Sequence, residues 1–275
     1  MWGIFGPTSP EAAIHVQSVC DAKEMPHIET RYDADTKSPM VNLHPHPSSL
    51  GKVFVDLVNA WNWESFTILY ENGPWLPQLS ELLEMYDPKG YTITVRQLDL
   101  NTTAGYYPVL RRVKLSEDNN FILACSIESL PEILKQAQQV GILVDHYQVI
   151  ITSLDLHIID LEPYRYSGVN ITGIRLYDPE DPNVITITDN IAASLEEKDE
   201  EVPDGLTADK MTVETVLTYD SVLLFYDALK QLKNNTDLKP AALKCDNDHH
   251  TWKNGLSLSN FMLTVSNMIS VMLRY

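Results

Sequence analysis

The sequence predicts an α/β fold built on parallel strands, and three observations predict it. Short apolar, β-branched runs at 66–70, 121–125 and 148–152 alternate with amphipathic stretches of helical length. Each connection between strands is long enough for a right-handed βαβ crossover. Turn residues punctuate the alternation, as in Glu71-Asn72-Gly73-Pro74 directly after the run at 66–70.

The elements follow in order. Residues 3–5 form a short strand, and Gly6-Pro7-Thr8-Ser9-Pro10 makes the turn, with Ser9 as N-cap and Pro10 in the first helical position. The helix runs to Lys23 with Ala12, Val16, Val19 and Cys20 inward. Residues 26–28 form a strand, 31–39 a polar loop, and 40–43 an extended piece ended by His44-Pro45-His46-Pro47. Leu50, Val53, Phe54, Leu57, Val58 and Trp61 mark a helix before the strand at 66–70, and Leu76, Leu79, Leu82, Leu83 and Tyr86 mark one after it. A strand at 91–98, a helix at 106–115, the strand at 121–125, a helix at 130–140 closed by Gly141, and the strand at 148–152 continue the pattern. Residues 164–172 read as a polar, aromatic loop, 174–177 as a strand, and Val184, Ile187, Ile191 and Leu195 as a helix. The charge run at 196–204 is a solvated loop. The longest helix spans 211–232, with Val213, Val216, Leu217, Asp220, Leu223, Tyr226 and Leu229 on or near its buried side. A long polar loop at 237–254 precedes a helix start at 255–262. Residues 263–275 are apolar and carry one charge, an atypical tail.

The chain of 275 residues, 44% hydrophobic, can bury a sizeable core in one or two domains. Its formal charge of −18 argues against nucleic acid and anionic membrane as partners. No window reaches the roughly 20 apolar residues of a membrane span. The start, MWGIFGPTSP, lacks the basic and apolar regions of a signal peptide. Of three cysteines, Cys20 and Cys125 read as core residues, and Cys245 lies in a polar loop. Sequons at Asn101, Asn170 and Asn234 favour an extracellular context and N-glycosylation.

No catalytic or cofactor motif of the GxSxG, P-loop, GxGxxG, HExxH or CxxC kind occurs, so an enzyme is not expected, and no cofactor. Asp155, His157 and Asp160 share a loop without a nucleophile and read as loop hydrogen-bonding groups. His44 and His46 read as a structural turn, with metal ligation the alternative. Asp246, Asp248, His249 and His250 read as a surface loop on the same weighing, and no metal is expected. Thr8 and Ser9, between a strand and a helix, have either an ordinary capping role or an anion-binding one, because free N–H groups and the helix dipole favour a ligand carboxylate there.

Three stretches, IFGPTSPEAAIHVQSVCDAKEMPHIET, NWESFTILYE and SLDLHIIDLEPYRYSGVNITGIRLYDP, resemble the amino-terminal domain of a kainate-type ionotropic glutamate receptor. The similarity runs from Trp2 to Met262, and IDLEPYRYSGVNITG is its most specific part. The resemblance implies a two-lobed, periplasmic-binding-protein-like (type I) clamshell. Residues 1–61 and 178–262 form a partial first lobe, and 62–177 form the second. It implies extracellular placement at the plasma membrane of a synapse, partners among other glutamate receptor subunits, dimerisation, and a role in assembly of a channel. It also implies that Cys245 has its disulfide partner in a first strand–helix–strand–helix segment absent from this chain. On that reading the second lobe is the stable unit and the first is poorly ordered, because exposed strand edges and uncovered apolar faces destabilise it. The alternative is an amino-acid-binding clamshell of another receptor or transport system.

Overall fold

The computed structural model describes residues 2–33, 41–87, 90–98, 105–116, 118–198, 200, 206–235, 239 and 251–265. The element order is β1 (Ile4–Phe5), α1 (Pro10–Lys23), β2 (His27–Glu29), β3 (Val41–Asn42), α2 (Pro47–Ala60), β4 (Ser65–Tyr70), two 3-10 turns (Gly73–Trp75 and Pro77–Leu79), α3 (Ser80–Glu84), β5 (Thr92–Gln97), α4 (Tyr107–Leu115), β6 (Asn120–Ala124), α5 (Leu130–Val140), β7 (Gln148–Ile151), β8 (Asn170–Gly173), α6 (Pro182–Glu197), α7 (Val213–Asn235) and α8 (Gly255–Val265). The chain divides into two compact units, Met1–Pro45 with Tyr177–Tyr275, and His46–Leu176.

The second unit holds a five-stranded, all-parallel sheet in the order β5-β4-β6-β7-β8. Its inner strands β4, β6 and β7 are mostly apolar on both faces because both faces are covered. Leu69, Phe121, Leu123, Val149 and Ile151 face a cluster with Leu110 and Val113 of α4 and Leu130, Ile133, Leu134 and Ala137 of α5. The alternate residues Phe66, Ile68, Ile122 and Ile150 are buried on the opposite face. The left-handed cap that the sequence places at Gly141 is present, at φ +80°.

The first unit holds a three-stranded parallel sheet, β1-β2-β3. Cys20, Met25, Ile28 and Val41 pack there with Leu224, Ala228 and Leu232 of α7 and Leu258 and Met262 of α8. Both Cys20 and Cys125 are free, buried thiols.

Several expectations need correction. The last strand is Asn170–Gly173, four residues before the run at 174–177, because pairing with β7 in the register Gln148↔Asn170 outweighs the poor strand propensity of its terminal Asn and Gly. The helix expected over 75–86 is broken into two 3-10 turns and the short α3. Pro74 and Pro77 have no N–H to continue an α-helical ladder. In α1 the inward residues are Ala13 and Cys20, and Ala12 and Val19 are exposed. In α7, Tyr226 is exposed, and Leu224, Ala228 and Leu232 are buried in its place. The helix Pro47–Ala60 belongs with the second unit, whereas the sequence places residues 48–61 in the first lobe. Gly51 is the local reason: a Cβ there would stand 2.9 Å from the Gln78 carbonyl oxygen, so a bare backbone lets α2 settle on the turn before α3.

Candidate functional site

The carboxyl ends of parallel strands are where α/β sheets present their loops and their polar groups. In the first unit those ends carry Gly6 to Ser9 after β1 and Glu29 to Arg31 at the end of β2. Thr8 and Ser9 are both exposed. Ser9 is the N-cap of α1, and its Oγ accepts from the Ala12 N–H at 3.5 Å, a long bond.

Behind this turn lies a buried polar network. His27 and Glu29 alternate along β2, so their side chains share a face, and Arg31 follows two residues past the strand end. His27 and Glu29 are each only 1% exposed. One His27 ring nitrogen, Nε2, lies 2.8 Å from the Gly6 carbonyl oxygen, which ties β2 to the turn before Thr8. The other meets Gln17 Oε1 of α1, and Gln17 Nε2 donates to Asp21 Oδ1 at 2.6 Å. Glu29 Oε2 takes Arg31 Nε at 2.9 Å, and Glu29 Oε1 lies 3.4 Å from His27 Nε2. Burial pushes the Glu29 carboxyl up, and the Arg31 and His27 charges pull it partly back. Arg31 also reaches Asp33 at 3.5 Å and the Tyr32 carbonyl oxygen at 3.3 Å. Thr30 and Thr218 share a hydrogen bond at 3.3 Å.

An open groove of about 560 Å³ adjoins Thr8, walled by Ile191, Thr215, Tyr219 and Val222. Chemically, the site combines exposed hydroxyls with cations already matched by carboxylates.

In the second unit the corresponding sheet edge is latched shut. Glu71, just past β4, accepts from the Ser126 N–H at 2.7 Å and from Ser129 Oγ at 2.6 Å, across the point where the strand order reverses. Despite its partial burial, these hydrogen bonds hold the Glu71 carboxyl below its ordinary range.

The remaining candidates fall as follows. Asp160 Oδ1 accepts from the Glu162 N–H at 3.0 Å, a loop role. Asp155 precedes a 3-10 turn that contains His157. His44 sits edge-on to Tyr32 and lies 3.0 Å from the Pro45 carbonyl oxygen, while His46 caps α2 through Ser48. Among the described residues no three His, Cys, Asp or Glu side chains gather as a metal site. Asn170 is exposed at the start of β8, with Thr172 Oγ1 donating to its Oδ1 at 3.4 Å, and Asn234 is exposed in the last turn of α7. Asn101, Cys245, Asp246, Asp248, His249 and His250 lie outside the described residues. The sequence reading missed the His27–Glu29–Arg31 network and the Glu71 latch. The period-two polar pattern of HIETR was the available signal for the first.

Residues 1–267 match the family model described as the receptor family ligand binding region. The chain is 33% identical over 263 residues to "Glutamate receptor ionotropic, kainate 1" of Homo sapiens, covering 94% of this chain and 28% of that protein. The same identity and coverage hold for the Macaca fascicularis protein of that name. The Mus musculus protein is matched at 33% identity over 31% of its length. The chain thus spans under a third of the relatives it matches. The fold expectation, α/β of the periplasmic-binding-protein-like type I, stands, as does the likeness to kainate-type receptors. No helix among the described residues is long and apolar enough to cross a membrane. The chain belongs to the receptor ligand-binding-region family, and within it is similar to kainate-type ionotropic glutamate receptors.

Proposed function

We propose that this chain is part of the extracellular amino-terminal domain of a kainate-type ionotropic glutamate receptor subunit, and that it serves subunit pairing and receptor assembly at synapses. The observation that carries this reading is the match of 94% of the chain to kainate 1 receptors. Its partners are then other glutamate receptor subunits, and its role is not enzymatic. The geometry supports pairing over amino-acid capture. In the first unit Arg31, a candidate cation for a ligand carboxylate, is already held by Glu29 and Asp33. The Ser9 hydroxyl faces its own helix. On α1, Ile14 and Val19 are 70% and 57% exposed, and apolar side chains so placed suit a protein partner.

Sedimentation equilibrium of the chain tests this. We expect reversible dimers, weakened at least tenfold by the double change Ile14→Asp and Val19→Asp. Dimers unaffected by it overturn the role of this face, and a monomer at every concentration overturns pairing. The groove beside Thr8 favours the second reading, a small-ligand clamshell, and saturable heat on titration with glutamate would favour it over pairing. Extracellular placement predicts a glycan at Asn170. A mobility shift on deglycosylation of the secreted chain, abolished in part by Asn170→Gln, checks it.

A further inference from the structure

The second unit presents a basic helix on an acidic protein. The chain carries 20 Lys and Arg against 38 Asp and Glu, yet α4 (YPVLRRVKL) has Arg111, Arg112 and Lys114 and no acid. Among the described helices it alone has cations without a carboxylate. All three cations are exposed, and Tyr107 and Leu115 flank them at 42% and 74% exposure. At 100° per residue, Tyr107, Arg111, Lys114 and Leu115 fall on one face, with Arg112 at its flank. The buried side of the same helix, Leu110 and Val113, fixes that face outward. Lys114 Nζ donates to the Val140 carbonyl oxygen at 2.7 Å, which places its charge at the end of α5 and leaves it two further N–H donors.

Among the described residues, nearby carboxylates do not neutralise this face. The single acid of α5, which packs against α4, is Glu132, and it is engaged by Lys135 at 3.7 Å and Gln136 at 2.8 Å. Asp118, beyond the helix end, accepts from Thr67 at 2.8 Å. A further cation lies on the same side of the sheet. Arg96 of β5 stands in register with Leu69, whose side chain points to the cluster under α4, so Arg96 shares that face.

We propose that the α4 face binds a sulfated polysaccharide chain of the heparan-sulfate class. The argument is charge complementarity at short range. The order Leu110-Arg111-Arg112-Val113-Lys114-Leu115 sets Arg111 and Lys114 on the outer face and Arg112 at its flank within about one turn, the kind of patch that takes heparin-like polyanions. Two neighbouring guanidinium groups offer planar forks that match sulfate oxygens two at a time, and a carboxylate-only polymer fills fewer of these donors. Because the rest of the chain is acidic, long-range steering opposes a polyanion, so affinity rests on direct contacts and falls steeply with salt. A symmetric contact between two copies through α4 is disfavoured, because it sets Arg111 and Arg112 against themselves. The proposal extends the extracellular reading above, since that is where sulfated polysaccharides are met.

The test is titration of the full chain with a fluorescent, size-defined heparin oligosaccharide, followed by anisotropy at several salt concentrations. We expect saturable binding whose log Kd rises with log salt at a slope of about 2, for three cations on a single-stranded polyanion. The double change Arg111→Glu and Arg112→Glu weakens it at least tenfold and lowers the slope, with unchanged circular dichroism. Lys230→Glu on α7, in the other unit, leaves it unchanged. Absence of binding at low salt, or full binding by the double variant, overturns the proposal. Equal binding of an unsulfated heparosan oligosaccharide overturns the sulfate requirement, and equal binding of poly-L-glutamate assigns the face to an acidic protein partner instead. Sedimentation without heparin keeps the two readings apart: dimers lost with heparin binding retained sink only subunit pairing.

Discussion

Glu29 and Glu71 stand at the carboxyl ends of strands in different units, and they are stabilised in opposite ways. Glu29 is buried against cations in a three-stranded sheet whose edge strands are two residues long. Glu71 is half-buried against neutral hydrogen-bond donors in a five-stranded sheet whose inner strands are mostly apolar. Burial dominates the first carboxyl and raises it, whereas hydrogen bonds prevail at the second and lower it. In the first sheet neighbouring cations only partly offset the burial of a carboxylate, and in the second a carboxylate fastens two loops through hydrogen bonds.

The largest expected effect is on the first unit. Glu29→Ala takes from Arg31 the nearer of its two carboxylates and leaves Asp33 as the other, and breaking a buried pair in this way costs about 3 kcal/mol. Urea unfolding followed by fluorescence of Trp2 and Trp252, which stack edge to face in that unit, reads it. A loss below about 1 kcal/mol would mean the network is ornamental to stability. Next, hydrogen exchange is expected to protect β4, β6 and β7 at least a hundredfold more than β1 to β3, about 2.8 kcal/mol. Equal protection would erase the contrast. Glu71→Ala comes third, at about 2 kcal/mol for a charged acceptor of two hydrogen bonds, localised to the second unit. The smallest effect concerns pH, and its sign differs between the units. Glu71 contributes stability that is present above its ordinary value of 4.5 and lost as pH falls through its lowered folded value. Glu29, with a raised folded value, contributes stability present below 4.5 and lost as pH rises through that folded value. Melting of the Glu71→Gln and Glu29→Gln variants across acidic pH is therefore expected to flatten opposite slopes.

The same contrast explains what could be read from the sequence. In the second unit, strands such as β4 and β6 are dense with Ile, Leu and Phe, and their positions and helical partners follow from periodicity. The β8 strand, carrying Asn170, Thr172 and Gly173, escaped because its identity comes from pairing with β7. In the first unit the reading erred in α1, where Ala12 and Val19 gave the helix an apparent inner face that its packing does not use. At the candidate site, Ser9 was legible as a cap from the Ser-Pro pair alone. The Glu29–Arg31 pair was not, because a charged residue in a short strand reads as loop until tertiary contacts bury it.

The strand order β5-β4-β6-β7-β8 also governs how the chain can be made. β4 is interior to its sheet, yet it is synthesised before either neighbour. Its last residue is Tyr70, and β6 is complete only at Ala124, which is 124 − 70 = 54 residues later. At about 5–20 residues per second this interval lasts about 3–11 s. During it the segment SFTILY has no permanent partner on its inner side, and it is the kind of uncharged, β-prone hexamer that self-associates. Slowing translation between β4 and β6 is therefore expected to lower the yield of soluble protein, and a chaperone that covers β4 on the nascent chain is expected to restore it.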